Sequence, residues 1–121
     1  MDNKPFSVKS RLRSFRYAGK GVVALLRKEH NARIHVVAAV CVIAAGFLFD
    51  ISGTEWIAVI ICIGMVLAAE AFNTAVEYLA DVISPGHNEM IGRAKDVAAG
   101  AVLILAVCAV IVALVIFIPK L

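Results

Sequence analysis

The stretch that decides the fold is Val97–Ile118, VAAGAVLILAVCAVIVALVIFI, 22 consecutive residues without a charge. As a helix it would span about 33 Å, enough to cross the roughly 30 Å hydrocarbon core of a bilayer. Two shorter apolar runs precede it. Val36–Phe49 has 14 residues, and Trp56–Ala69, also 14, continues as a mixed segment to Ile83. Taken alone, either run fits a buried core helix. The composition decides against that. Of 121 residues, 62% are hydrophobic and only 17% charged, whereas soluble domains hold about 25% charged residues. A short chain has proportionally more surface to cover, and this one lacks the polar sequence to do it. A soluble monomer would expose large apolar patches, and a chain this hydrophobic is not disordered. Three cysteines, Cys41, Cys62 and Cys108, all inside apolar runs, fit neither a disulfide framework nor a metal site.

The charges set an orientation. Nine of the twelve Lys and Arg lie within the first 33 residues: Lys4, Lys9, Arg11, Arg13, Arg16, Lys20, Arg27, Lys28 and Arg33. The positive-inside rule places this block in the cytoplasm. It is too long for a signal-peptide n-region, and no A-x-A-like cleavage site follows. The first loop, Asp50–Glu55, has acids and no base, and is expected outside. The second, around Ser84–Lys95, carries Arg93 and Lys95 and is expected inside, with a turn at Ser84, Pro85 and Gly86. Before the first span, Val8, Leu12, Phe15, Gly19, Val22 and Leu26 recur at steps of four and three. This is the pattern of an amphipathic helix lying in the interface. The expected architecture is a single all-α membrane domain, 1–121, with a surface helix at about 7–28. Transmembrane helices follow at about 30–50, 55–83 and 92–118.

The most specific chemistry lies in the second span, Glu70-Ala-Phe-Asn73-Thr74-Ala-Val-Glu77 followed by Asp81. At 3.6 residues per turn these five polar residues share an arc of about 100° and rise about 16 Å. Phe72, Val76, Leu79 and Ile83 fall opposite. Acids inside a spanning helix are costly and mark function by default. Two further clusters start the neighbouring spans at the same surface: Glu29, His30, Asn31, Arg33 and His35, then Arg93, Lys95 and Asp96. Hard-oxygen donors of this kind suit Mg²⁺, which needs few carboxylates when phosphate and water complete its shell. Lys95 is a point charge for phosphate, and Glu70, deepest in the apolar segment, is a candidate general base. The histidines show no metal-ligand spacing and read as solvated or head-group-contacting. No P-loop, kinase glycine loop, nucleophile elbow or H-E-x-x-H occurs, and nothing points to nucleic acid.

The Glu70–Glu77 string, Asp81 and Gly92-Arg93-Ala-Lys95-Asp96, with Glu29, Asn31 and Arg33 upstream, resemble the small prokaryotic diacylglycerol kinase and undecaprenol kinase family over nearly the whole chain. The resemblance implies a homotrimer in the bacterial plasma membrane, with active sites shared between subunits on the cytoplasmic side. It implies transfer of the γ-phosphoryl group of Mg-ATP to a lipid hydroxyl. Glu70 would be the base, Asn73 would orient the site, and Glu29 and Glu77 would hold the metal beside the nucleotide. Lys95, Asp96, Tyr17, Gly86, His87 and Asn88 would contact the nucleotide, with a further contact from Arg11 or Arg13. Arg33, Ala99 and Glu70 would meet the lipid, and Asp81 would support the site. Arg33-Ile34-His35, Glu55-Trp56 and Ile118-Pro119-Lys120-Leu121 resemble the Gram-positive undecaprenol kinases, whereas Gly92–Asp96 looks like the diacylglycerol branch. Undecaprenol is therefore the expected acceptor and diacylglycerol the alternative. From the residues alone, an ion- or proton-conducting subunit and a membrane scaffold stay open.

Overall fold

The computed structural model describes residues 5–121; Lys4, one of the nine N-terminal bases, lies outside them. The described residues form four α-helices and a short 3₁₀ turn, with no strand. They are α1 Val8–Lys28, α2 His30–Leu48, α3 Gly53–Ile83 and α4 Glu89–Phe117, and the turn is Ile118–Lys120. The last three helices are long and apolar enough to cross a membrane.

Each boundary has a local cause. Ser7 caps α1, accepting from Ser10 N at 3.3 Å. Glu29 separates α1 from α2 through an extended backbone (φ −103, ψ 114). Its N–H closes α1 on Leu25 O at 3.0 Å, and its carbonyl opens α2 by accepting from Arg33 N at 3.2 Å. The Glu29 side chain makes no cap bond, so its carboxylate is left for other partners. Helix α2 ends in a Schellman motif. Asp50 adopts φ 50, Asp50 N donates to Phe47 O at 3.3 Å, and Ile51 N donates to Gly46 O at 3.1 Å. Ser52 and Glu55 form a reciprocal capping box that starts α3. Asn88 caps α4, accepting from Ile91 N at 3.1 Å. With that cap, and Glu89 paired to Arg93 at 3.0 Å, α4 begins at Glu89. The expected inner loop thus shrinks to Ser84–Asn88, and Arg93, Lys95 and Asp96 stand on the helix.

Helices α3 and α4 make the most extensive pairing, α2 packs on α3, and α1 touches α2 and α3. The core sits at the Trp56 end. Ile51, Val59 and Ile116 are buried there, with Phe49, Trp56 and Phe117 against them. Phe49 and Phe117 meet edge-on at 5.8 Å. Gly46 lies under the Trp56 ring, which a Cβ would meet at 2.6 Å. Lys120 Nζ closes this end, donating to Glu55 Oε2 at 2.7 Å and to Ile116 O at 3.0 Å.

Away from this cluster the bundle is apolar outside, and its interior mixes apolar packing with a buried polar group. Glu70, Asn73 and Thr74 are buried, while Phe72, Leu79, Ile83, Val97 and Leu103 are exposed. The exposed area is 9097 Å², against roughly 6,300 Å² for a compact monomer of this mass. The apolar stripe of α1 (Val8, Leu12, Phe15, Val22) is exposed as well.

Candidate functional site

The polar stripe of α3 resolves into two levels. The deeper one centres on Glu70, only 3% exposed, with Asn73 at 8% and Thr74 at 4%. His35, on the facing turn of α2, places Nε2 3.4 Å from Glu70 Oε1. Glu29 and Glu77 also lie within electrostatic reach of Glu70. Asn73 Nδ2 donates to Glu77 Oε1 at 3.4 Å, linking the half-buried Glu77 to the buried level. Two oxygens here, Asn73 Oδ1 and Thr74 Oγ1, are buried without a partner. Such groups are costly to keep in an apolar interior, which sets this level apart from ordinary packing.

The second level lies about 16 Å further along α3. There Asp81 Oδ1 stands 3.8 Å from Lys95 Nζ on α4. Both side chains are well exposed, so the attraction is screened and weak. This leaves Lys95 available to another anion.

The structure brings His35 to Glu70, links Asn73 to Glu77 and sets Asp81 beside Lys95. The other expected site residues stand apart from them. Tyr17 is exposed, with Lys20 Nζ 6.0 Å over its ring. Arg33 turns toward His30 Nδ1 at 3.4 Å. Asp96, Ala99, Gly86 and His87 are exposed, and the Asn88 side-chain oxygen is occupied as the α4 cap. His35 is the residue that sequence reasoning missed. Spacing gives it a solvated or head-group role, yet it is the one side chain that α2 brings to the Glu70 carboxylate.

No group of three or more His, Cys, Asp or Glu that could hold a metal ion gathers among the described residues. Mg²⁺ does not need one, since one or two carboxylates suffice when phosphate and water supply the rest. Glu29 and Glu77 carry hard-oxygen donors of that type, so the residue chemistry fits the ion.

Comparison with known proteins gives one consistent family. The prokaryotic diacylglycerol kinase family matches residues 16–117. An undecaprenol kinase of Bacillus subtilis is 41% identical over 109 residues, covering 90% of this chain and 89% of the relative. A diacylglycerol kinase of Synechocystis is 37% identical over 109 residues, 89% of this chain and 62% of the relative. A diacylglycerol kinase of Escherichia coli is 32% identical over 95 residues, covering 78% of each chain.

Proposed function

The chain belongs to the prokaryotic diacylglycerol kinase family and is a membrane lipid kinase, and from that premise we propose that it phosphorylates undecaprenol with Mg-ATP at the Glu70 level. The observation that carries the site is a carboxylate buried in an apolar helix, held by His35 and flanked by two unpartnered oxygens. The acceptor is favoured by the higher identity to the undecaprenol kinase of Bacillus subtilis than to the Escherichia coli diacylglycerol kinase.

In this reading the acceptor hydroxyl lies against Glu70. As its oxygen bonds to the γ-phosphorus, the proton passes to the Glu70 carboxylate and the bond to ADP breaks. Phosphoryl transfer asks chiefly for positioning and charge neutralisation, which three helices can supply. Glu29 and Glu77 would hold Mg²⁺, which neutralises the phosphate oxygens when bound. Asn73 fixes Glu77 through its amide. Lys95, beyond the apolar level, attracts the polyphosphate, with Asp96, Tyr17 and the Gly86–Asn88 turn around the rest of the nucleotide. Arg33 and Ala99 border the lipid.

The Glu29 end faces the cytoplasm in this proposal, supported by the basic block on α1. The exposed apolar stripe of α1 rests in the interface beside the site, its cations toward anionic head groups. Self-association is supported by the exposed apolar faces of the helices, and three copies is the number that the family resemblance implies. The test is a competition assay with purified protein, Mg-ATP, undecaprenol and diacylglycerol in mixed micelles. Undecaprenyl phosphate should dominate at equal mole fractions. Phosphatidic acid as the main product would transfer the assignment to diacylglycerol.

A further inference from the structure

We propose that the cavity beside His35 receives the first isoprenoid units of the acceptor chain and selects a prenyl alcohol over a glyceride. This rests on the undecaprenol reading above. The cavity holds about 220 Å³ and is walled by α2, α3 and α4. His35 forms part of its wall while its Nε2 stands 3.4 Å from Glu70. The α3 part of the wall runs from Val59 to Leu67, all before Glu70 on the helix. The cavity therefore begins beside the base and extends toward the Trp56 end, into the bilayer interior. A lipid whose hydroxyl meets Glu70 must send its chain in this direction.

The lining decides what chain it takes. His35 is the only lining residue with a side-chain nitrogen or oxygen. Ala38, Ala39, Ala106, Ala109 and Ala113 leave the space open and wholly apolar. A prenyl alcohol carries only hydrocarbon beyond its hydroxyl carbon. A diacylglycerol carries two ester carbonyls within a few bonds of its hydroxyl, and in this cavity they would find one donor at most. A site without partners discriminates against such groups. The size agrees: a dry cavity of roughly 150 Å³ accepts a six-carbon ring, so this one takes on the order of two five-carbon units. Because the bilayer already solvates the chain, the cavity contributes shape and orientation rather than hydrophobic driving force.

The experiment is a chain-length series in mixed micelles, with acceptors expressed as mole fraction. Prenyl alcohols of five, ten, fifteen and fifty-five carbons are compared for wild type and for the cavity-filling variants Ala39→Leu and Ala109→Leu. For wild type, kcat/KM should rise about tenfold or more from five to ten carbons and flatten beyond. In the filled variants that ratio should fall toward one, and kcat/KM for undecaprenol should drop about tenfold, with the KM for ATP unchanged. A wild-type profile that is flat from five to ten carbons overturns the proposal even if the variants do not fold. So do folded variants that keep wild-type kcat/KM for undecaprenol, the result expected if side chains of a second copy fill the space. A wild type that phosphorylates diacylglycerol and no prenol of any length overturns the acceptor reading itself.

Discussion

Glu70 and His35 make the sharpest claims at the scale of single residues. A carboxylate 3% exposed on a helix of Ile, Val, Met and Ala has few reasons to be there other than chemistry. Glu70→Gln keeps the shape and removes the base. It should lower kcat by about 10²–10⁴-fold while ATP binding, followed by fluorescent-nucleotide titration, stays at the wild-type level. Loss of ATP binding would move Glu70 into the nucleotide or metal set. His35 acts through Glu70. By holding Oε1 it leaves the other oxygen free for the hydroxyl proton. His35→Ala should lower kcat with little change in the KM for ATP, and His35→Gln, whose amide nitrogen reaches the position of the histidine Nε2, should restore part of the rate. Equal loss in both variants would make the histidine a packing residue. Glu77→Gln should raise the Mg²⁺ concentration needed for half-maximal rate, and an unchanged titration would remove it from the metal shell.

Among the helices, what is legible in the sequence follows one physical line. A polar stripe on one helix is a property of spacing, so residue order alone puts Glu70, Asn73, Thr74 and Glu77 on one face. The burial of the first three follows because the outer face of a spanning helix meets lipid. A contact between two helices is not a property of spacing. The His35–Glu70 pair depends on how α2 is set against α3, and no periodicity carries that. Boundaries depend on caps: the Asn88 side-chain oxygen closes the start of α4 at Glu89, three residues before the start expected from the sequence. The turn between α2 and α3 shows the same dependence on tertiary fit. Gly46 is a helix-interior glycine with ordinary backbone angles, and its reason is the Trp56 ring. A Cβ there would approach the ring at 2.6 Å, and the ring is pinned by Phe47 at 4.9 Å. Gly46→Ala gains helix propensity, yet the overpacking costs about 1–3 kcal/mol. The net effect should be a lower unfolding midpoint in detergent. A raised midpoint would mean that α2 and α3 separate without loss.

At the scale of the whole molecule, the two ends of the bundle are built differently. The Trp56 end is closed by an aromatic cluster and the Lys120–Glu55 bond. The other end has two loose side-chain links between spanning helices, His35–Glu70 at 3.4 Å and Lys95–Asp81 at 3.8 Å, set about 16 Å apart along α3. Helix α3, at about 46 Å, outruns the roughly 30 Å hydrocarbon core and carries Glu77 and Asp81 toward water. A phosphoryl donor held at Lys95 and an acceptor held at Glu70, so far apart on one chain, need not use the same copy of it. Co-expressing Glu70→Gln with Lys95→Met, each inactive alone, tests this. If each site takes its base from one copy and its lysine from the next, random mixing leaves about a quarter of the sites with both residues intact in a cyclic oligomer. The mixed preparation should then regain about a quarter of the wild-type rate. If one copy supplies both residues, co-expression leaves the mixture as inactive as its parents, and each chain carries a complete site.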